Sequence, residues 1–216
     1  MESCRISLGV EGVKSTRPRE CCVIIDVLRA SSTIITALAH GVQEVRTVTN
    51  IRDALRLRKK SFILAGERKG VTLPGFDLGN SPVEVIRATR KHTIKNMVLT
   101  TSNLTRVLAC CRSALICSSL NISGVSRYIT GKRANIVAVG GANGVVEDLG
   151  VALALVMQVK GMKLERSIVQ KMIVQSRAAD YLASIGFGGD VKFITAVDKY
   201  RVVPLYRRGT ITMQDA

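Results

Sequence analysis

Cys22-Val23-Ile24-Ile25-Asp26-Val27-Leu28-Arg29-Ala30-Ser31-Ser32 is the stretch on which the reading of this chain turns. Its four opening apolar residues run without alternation, as in a strand covered on both faces. The run breaks on a carboxylate, and the hydroxyls that follow open a helix. The pattern recurs at Phe62-Ile63-Leu64 before Gly66-Glu67-Arg68, and at Met97-Val98-Leu99 before residues 100–106. It recurs again at Ala114-Leu115-Ile116 before Ser118-Ser119-Leu120-Asn121, and at Ile136-Val137-Ala138-Val139 before residues 140–148. Strands alternating with helices specify an α/β fold with a largely parallel sheet. If the strands are parallel, their C-terminal ends converge on one edge, where open α/β sheets bind ligands.

Working outward, strands are predicted at 21–27, 44–49 and 61–65, with helices from Ser31 or Ser32 to His40 and from Ile51 to Lys60. Gly41 stops the first helix and Asn50 caps the second. Ser81-Pro82-Val83-Glu84 reads as an N-cap, a first-turn proline and a capping-box glutamate. Strand, polar loop and helix follow at 97–111, 113–131 and 135–160. Residues 164–185 read as an amphipathic helix, and 191–194 and 201–206 as strands whose antiparallel placement would make the sheet mixed. No linker divides the chain, so 216 residues are read as one domain with its core at about 20–206.

The chain carries 32 Lys+Arg against 16 Asp+Glu, a net charge of +16. Nucleic-acid binding is one reading of that excess. Against it, the basic residues are scattered along the chain, and aromatics are only 4% with no Trp, a poor supply for stacking bases. The excess reads as solvated helix surface whose field steers small polyanions. The N-terminus lacks a signal-peptide layout, and the longest apolar stretch, Leu149 to Met157, is too short to span a bilayer. A cytoplasmic enzyme is expected, without membrane or nucleic-acid partners. The cysteines at 4, 21, 22, 110, 111 and 117 lack zinc-site spacing and read as reduced core or near-core residues.

Familiar phosphate motifs are absent. There is no P-loop, Asp26-Val27-Leu28 lacks the second carboxylate of a D-x-D phosphatase, and no Cys precedes Arg at the C-x5-R spacing. The strings that remain are Asp26 to Thr33, Ala65-Gly66-Glu67-Arg68, Gly75-Phe76-Asp77-Leu78-Gly79-Asn80-Ser81-Pro82 and Thr100 to Arg106. Together with Ser118 to Asn121, Glu147-Asp148 and Val203-Pro204-Leu205-Tyr206, they resemble the 2-phosphosulfolactate phosphatase family over residues 20 to 206. The resemblance implies a three-layer α/β/α fold and a Mg²⁺-dependent phosphatase converting 2-phospho-3-sulfolactate to 3-sulfolactate and phosphate, a step toward coenzyme M. Two departures stand out: Leu104, where the family usually has Gly, and Val137-Ala138-Val139, where a Cys is common. The first adds a side chain beside the anion loop and points to another 2-phospho-hydroxyacid as the alternative substrate. The second argues against a cysteine nucleophile.

Roles follow from residue chemistry and the resemblance together. Asp26 and Glu67, at strand ends, read as metal ligands, with Asp26 also a phosphoryl acceptor; the bland reading for Asp26 is a structural pair with Arg29. Glu147 and Asp148 are read equally as metal ligands or as charges offsetting a helix N-terminus. Arg29, Arg68 and Arg106 read as anion clamps, and Arg29 and Arg68 join Asp26 and Glu67 in the expected catalytic set by neutralising charge in the transition state. Ser31, Ser32, Thr101, Ser102 and Asn121 are candidate donors to the same anion, as is Ser81, whose N-cap reading is stronger. The resemblance adds Asp77, Asn80, Asn103 and Thr105 to the substrate-binding set. A small anionic phosphorylated substrate is the expected partner, and a homodimer an expected assembly.

Overall fold

In a computed structural model, residues 4–58, 60–163 and 165–214 are described. The chain opens with β1 (Cys4–Leu8), α1 (Gly9–Lys14), β2 (Cys21–Ile25), α2 (Ala30–Ala39), β3 (Glu44–Thr47) and α3 (Ile51–Arg58). Next come β4 (Ile63–Arg68), β5 (Val71–Thr72), α4 (Pro82–Lys91), β6 (Asn96–Thr100), α5 (Leu104–Leu108) and β7 (Ser113–Cys117). A 3-10 turn (Ser119–Asn121) then leads to α6 (Ile122–Ile129), β8 (Ala134–Ala138) and α7 (Val146–Val159). The C-terminal part holds α8 (Arg166–Val174), α9 (Arg177–Ser184), α10 (Gly188–Ile194), β9 (Pro204–Arg207) and β10 (Thr210–Met213).

The strands form one ten-stranded mixed sheet in the order β1-β8-β2-β7-β9-β10-β3-β6-β4-β5. β1, β8, β2 and β7 are mutually parallel, as are β3, β6 and β4. Between the two sets lies the antiparallel pair β9 and β10, which reverses the sheet's polarity from one set to the other. The single parallel edge expected from the sequence is therefore replaced by two sets of opposite local direction. A sheet twists by about 20–25° per neighbour, so the six steps from β2 to β4 turn the second set by roughly 120–150°. That rotation largely undoes the reversal.

Alternate residues of each strand enter opposite faces. Cys22 and Ile24 pack with α2, while Val23 and Ile25 pack with α6, α7 and α8. The first face is continuous across both sets, from Val137 and Ile116 through Tyr206 and Ile211 to Val45, Met97 and Ala65. On the far face of the second set, Ala54 of α3 packs on Leu64 and Val98. Helices thus cover both faces, giving the three-layer α/β/α arrangement.

Several predicted elements change form. The amphipathic stretch 164–185 is two helices broken at Ser176, which caps α9 through the Ala179 N–H; residue 164 lies outside the described residues. So does residue 59, within the helix predicted over 51–60. Residues 191–194, predicted as a strand, end α10, where Val191 packs with Ala179 and Leu182. Ser81 caps α4 as expected, but the Glu84 carboxylate bonds the Gly79 N–H instead of closing the box on Ser81. Of the cysteines, Cys110 is exposed rather than near-core. No described helix is long and apolar enough to cross a membrane.

Asn121 belongs to this framework and not to a substrate site. Its Nδ2 donates to the Ile116 carbonyl at 3.2 Å and the Val202 carbonyl at 3.0 Å, while Oδ1 accepts from the Ser118 N–H at 2.9 Å. The side chain thereby ties the end of β7 to the segment entering β9, where the two halves of the sheet are joined. Asn121→Ala strands these buried groups and is expected to cost at least about 2 kcal/mol in urea unfolding, with an unchanged KM for any substrate of the folded enzyme.

Candidate active site

Loops following both parallel sets line one cavity of about 180 Å³. From the first set come Asp26 after β2, Gly140 to Gly144 after β8, and Glu147 and Asp148 in the first turn of α7. From the second come Glu67 at the end of β4 and Thr101, Ser102 and Asn103 after β6. Leu28 and Arg29, Lys69 and Gly70, Asn80 and the α9 residues Ala178, Tyr181 and Leu182 complete the wall.

The four carboxyl groups do two kinds of work. Asp148 spends both oxygens on backbone, accepting from the Val27 N–H at 2.7 Å and the Gly140 N–H at 2.8 Å. It locks the loop after β2 to the loop after β8. Glu67 is equally committed, to the Ser102 N–H at 2.6 Å and hydroxyl at 3.0 Å and to the Gly70 N–H at 2.8 Å. Asp26 and Glu147 retain free oxygens. Asp26 Oδ1 takes only a 3.3 Å bond from the Ala30 N–H, and Glu147 Oε2 is buried with no partner. Asn80, which also lines the cavity, has a buried Oδ1 without a partner.

Burial drives the electrostatics. Desolvation, with the Glu67 and Glu147 charges adding to it, pushes the Asp26 carboxyl up to about 7. Burial also raises Glu147, and it raises Asp148 well above the carboxylate range, helped by the neighbouring Asp26 and Glu147. Among the described residues no three His, Cys, Asp or Glu side chains form a ready-made metal cluster. The unpartnered oxygens of Glu147 and Asn80, in a cavity that Asp26 also lines, have the donor chemistry that suits a hard cation such as Mg²⁺, which binds few protein oxygens and completes its shell with water and substrate.

Of the arginines expected as clamps, Arg29 and Arg68 are engaged by other protein groups and Arg106 lies outside the cavity lining. Arg29 lines the cavity, but its side chain is 1% exposed; Nη1 donates to Asp190 Oδ2 at 2.8 Å and Nη2 to the Gly70 carbonyl at 2.6 Å. Phe187 lies under its guanidinium at 4.0 Å. Arg68 bonds the Glu67 and Thr49 carbonyls and the Thr100 hydroxyl. Arg106 is exposed, in a shallow depression on the outer side of Asn103.

Other predicted donors also serve structure. Ser31 Oγ accepts from the Asp26 N–H and Ser32 Oγ donates to the Val27 carbonyl. Thr105 Oγ1 donates to the Thr101 carbonyl, while Asp77 pairs with Arg58 and accepts from the Leu64 N–H. Ser81 donates to Asp190 Oδ1 at 2.7 Å. Leu104, expected beside the anion loop, is fully buried in the core under α2 and does not enter the cavity. It supplies no reason to expect a different substrate.

Asp190 escaped sequence reasoning. Only the Gly188-Gly189-Asp190 string at a helix start marks it, and its partner Arg29 lies far away in the chain. Lys69 escaped too, although it directly follows the Ala65 to Arg68 motif and lines the cavity.

A cavity at the strand ends, lined by carboxyl groups, hydroxyls and a Gly-rich loop, is the candidate site of this α/β protein. The family described as 2-phosphosulpholactate phosphatase matches residues 8–209, and the chain belongs to it. A probable 2-phosphosulfolactate phosphatase of Thermotoga petrophila is 38% identical over 92% of this chain and 95% of its own length. The 2-phosphosulfolactate phosphatase of Methanothermobacter thermautotrophicus is 34% identical over 90% of each.

Two measurements follow. Because the folded-state Asp26 pKa of about 7 exceeds its ordinary 3.8, its proton stabilises the fold at low pH, and that contribution is lost as pH rises toward 7. Asp26→Asn keeps the neutral shape, so in EDTA it is expected to raise Tm at pH 8, by a margin that vanishes near pH 4. Asp190→Ala leaves the Arg29 charge buried and unpaired, and is expected to cost about 3–5 kcal/mol in denaturant unfolding.

Proposed function

We propose that this chain is a magnesium-dependent phosphatase of the cytoplasm that hydrolyses 2-phospho-3-sulfolactate to 3-sulfolactate and phosphate, in a route toward coenzyme M. The observation that carries the reading is the pair of buried, unpartnered oxygens on Glu147 and Asn80 beside Asp26, in a chain of this family. Asp26, Glu147 and Asn80 would hold the ion. When bound, Mg²⁺ supplies Lewis-acid charge to the phosphoryl oxygens.

The rest of the work falls to the protein. In the reaction, water oxygen joins phosphorus, the bond from phosphorus to the C2 oxygen breaks, and that oxygen leaves with a proton as the alcohol. Asp26 would act as base toward water or as acceptor of the phosphoryl group. The hydroxyls of Thr101 and Ser102 line the same wall as candidate donors to the anion. Asp148 and Glu67 hold the loops that carry these groups.

Phosphate release from 2-phosphosulfolactate is expected with Mg²⁺ and is expected to disappear with EDTA and in Asp26→Ala. Glu147→Gln should weaken the activating effect of Mg²⁺ at least tenfold and shrink the Tm gain on adding Mg²⁺ at pH 8. Full activity in EDTA would remove the metal from the mechanism.

A further inference from the structure

Lys69 and Gly70 form the two-residue turn between β4 and β5, with Arg68 paired to Val71 across it. Both turn residues have positive φ, 51° and 74°. That is the type I′ hairpin pattern, for which Asn-Gly is the preferred pair. Gly70 meets the demand, and a Cβ there would sit 2.9 Å from Ile185 Cδ1 of the α9 end. Lysine at the first position bears a left-handed backbone cost that Asn or Gly would reduce.

The turn is pinned at the cavity. Tyr181 Oη donates to the Lys69 carbonyl at 2.9 Å, and the Lys69 N–H donates to Ser102 Oγ at 3.3 Å. The Gly70 N–H and carbonyl are held by Glu67 and Arg29. Lys69 itself lines the cavity and is exposed, and its ammonium has no hydrogen-bond or ion-pair partner among the described residues. Arg29, the other cation on the wall, is neutralised by Asp190. Among the described residues, Lys69 is therefore the uncommitted positive charge of a cavity that also holds four carboxyl groups.

We propose that Lys69 binds the sulfonate of the substrate and selects for it, an inference that rests on the phosphatase reading above. The phosphoryl group belongs with the buried carboxyls and their cation, which leaves the exposed lysine to meet the opposite end of the ester. A sulfonate is anionic at every working pH, so it needs a lasting counter-charge, and a flexible ammonium supplies one.

Calorimetric titration of the full chain in Mg²⁺ with 3-sulfolactate and with lactate tests this without turnover. The wild type is expected to bind sulfolactate at least tenfold more tightly than lactate. Lys69→Asn should abolish that preference while keeping Tm at or above the wild-type value, because Asn-Gly suits the turn; Lys69→Arg should retain the preference. In kinetics, Lys69→Asn should raise KM for 2-phosphosulfolactate at least tenfold with kcat within threefold, and erase discrimination against 2-phospholactate. A wild type without preference for sulfolactate, or a Lys69→Asn variant that keeps it, overturns the proposal. A preserved sulfolactate preference with no hydrolysis of either ester would instead sink the phosphatase reading and leave the sulfonate site standing.

Discussion

The buried ion pair of Arg29 and Asp190 is the contact on which the site's architecture hangs. Removing two charges from water is costly and is offset only when their remaining hydrogen-bonding capacity is met. Here Asp190 also accepts from the Ser81 hydroxyl and the Val83 N–H, while Arg29 also reaches the Gly70 carbonyl and lies over Phe187. One pair thus joins the start of α2, the tip of the β4–β5 hairpin, the cap of α4 and the first turn of α10. Its geometry sets one wall of the cavity and removes Arg29 from direct duty on a substrate.

A second constraint is the clustering of carboxyl groups around a small volume. Burial raises Asp26, Glu147 and Asp148, and neighbouring carboxylates add to the rise at Asp26 and Asp148. Backbone N–H groups engage both oxygens of Asp148 and of Glu67, which makes these two the fasteners of the loops. Asp26 keeps one 3.3 Å bond, from the Ala30 N–H, and Glu147 Oε2 keeps none. The net charge of +16 draws anions toward the molecule at long range, while the cavity itself is lined by carboxyl groups.

Much of this was legible because the central strands are buried on both faces. Residues 22–25 and 136–139 had to be continuous apolar runs, and such runs mark their own ends, so Asp26, Glu67, Ser102 and Glu147 stood out as strand-end or helix-start groups. β1 passed unseen because Cys4-Arg5-Ile6-Ser7-Leu8 is an edge strand, half-buried and interrupted by polar residues. Val191 to Ile194 misled because a short apolar run suits strand and helix equally, and packing against α9 decided for helix. The fate of the arginines was out of reach: whether a guanidinium faces a ligand or a carboxylate far along the chain is a tertiary matter, as Arg29 and Asp190 demonstrate.

The polarity of the sheet was hidden for the same reason, and it matters most. A doubly wound parallel sheet gathers its loops along one C-terminal edge and binds ligands where strand order reverses. Here the last two strands of the chain insert between two parallel sets and reverse one against the other. Sheet twist then turns the second set back, so strand-end loops from both sets meet across the cavity. The first set supplies Asp26 and Glu147, with their unmet oxygens, together with Asp148, which fastens its loops. The second supplies Glu67, Ser102 and the Lys69 turn. The cavity is thus built from both half-sheets, and the loops of each are fastened by its own carboxylate, Asp148 in the first and Glu67 in the second.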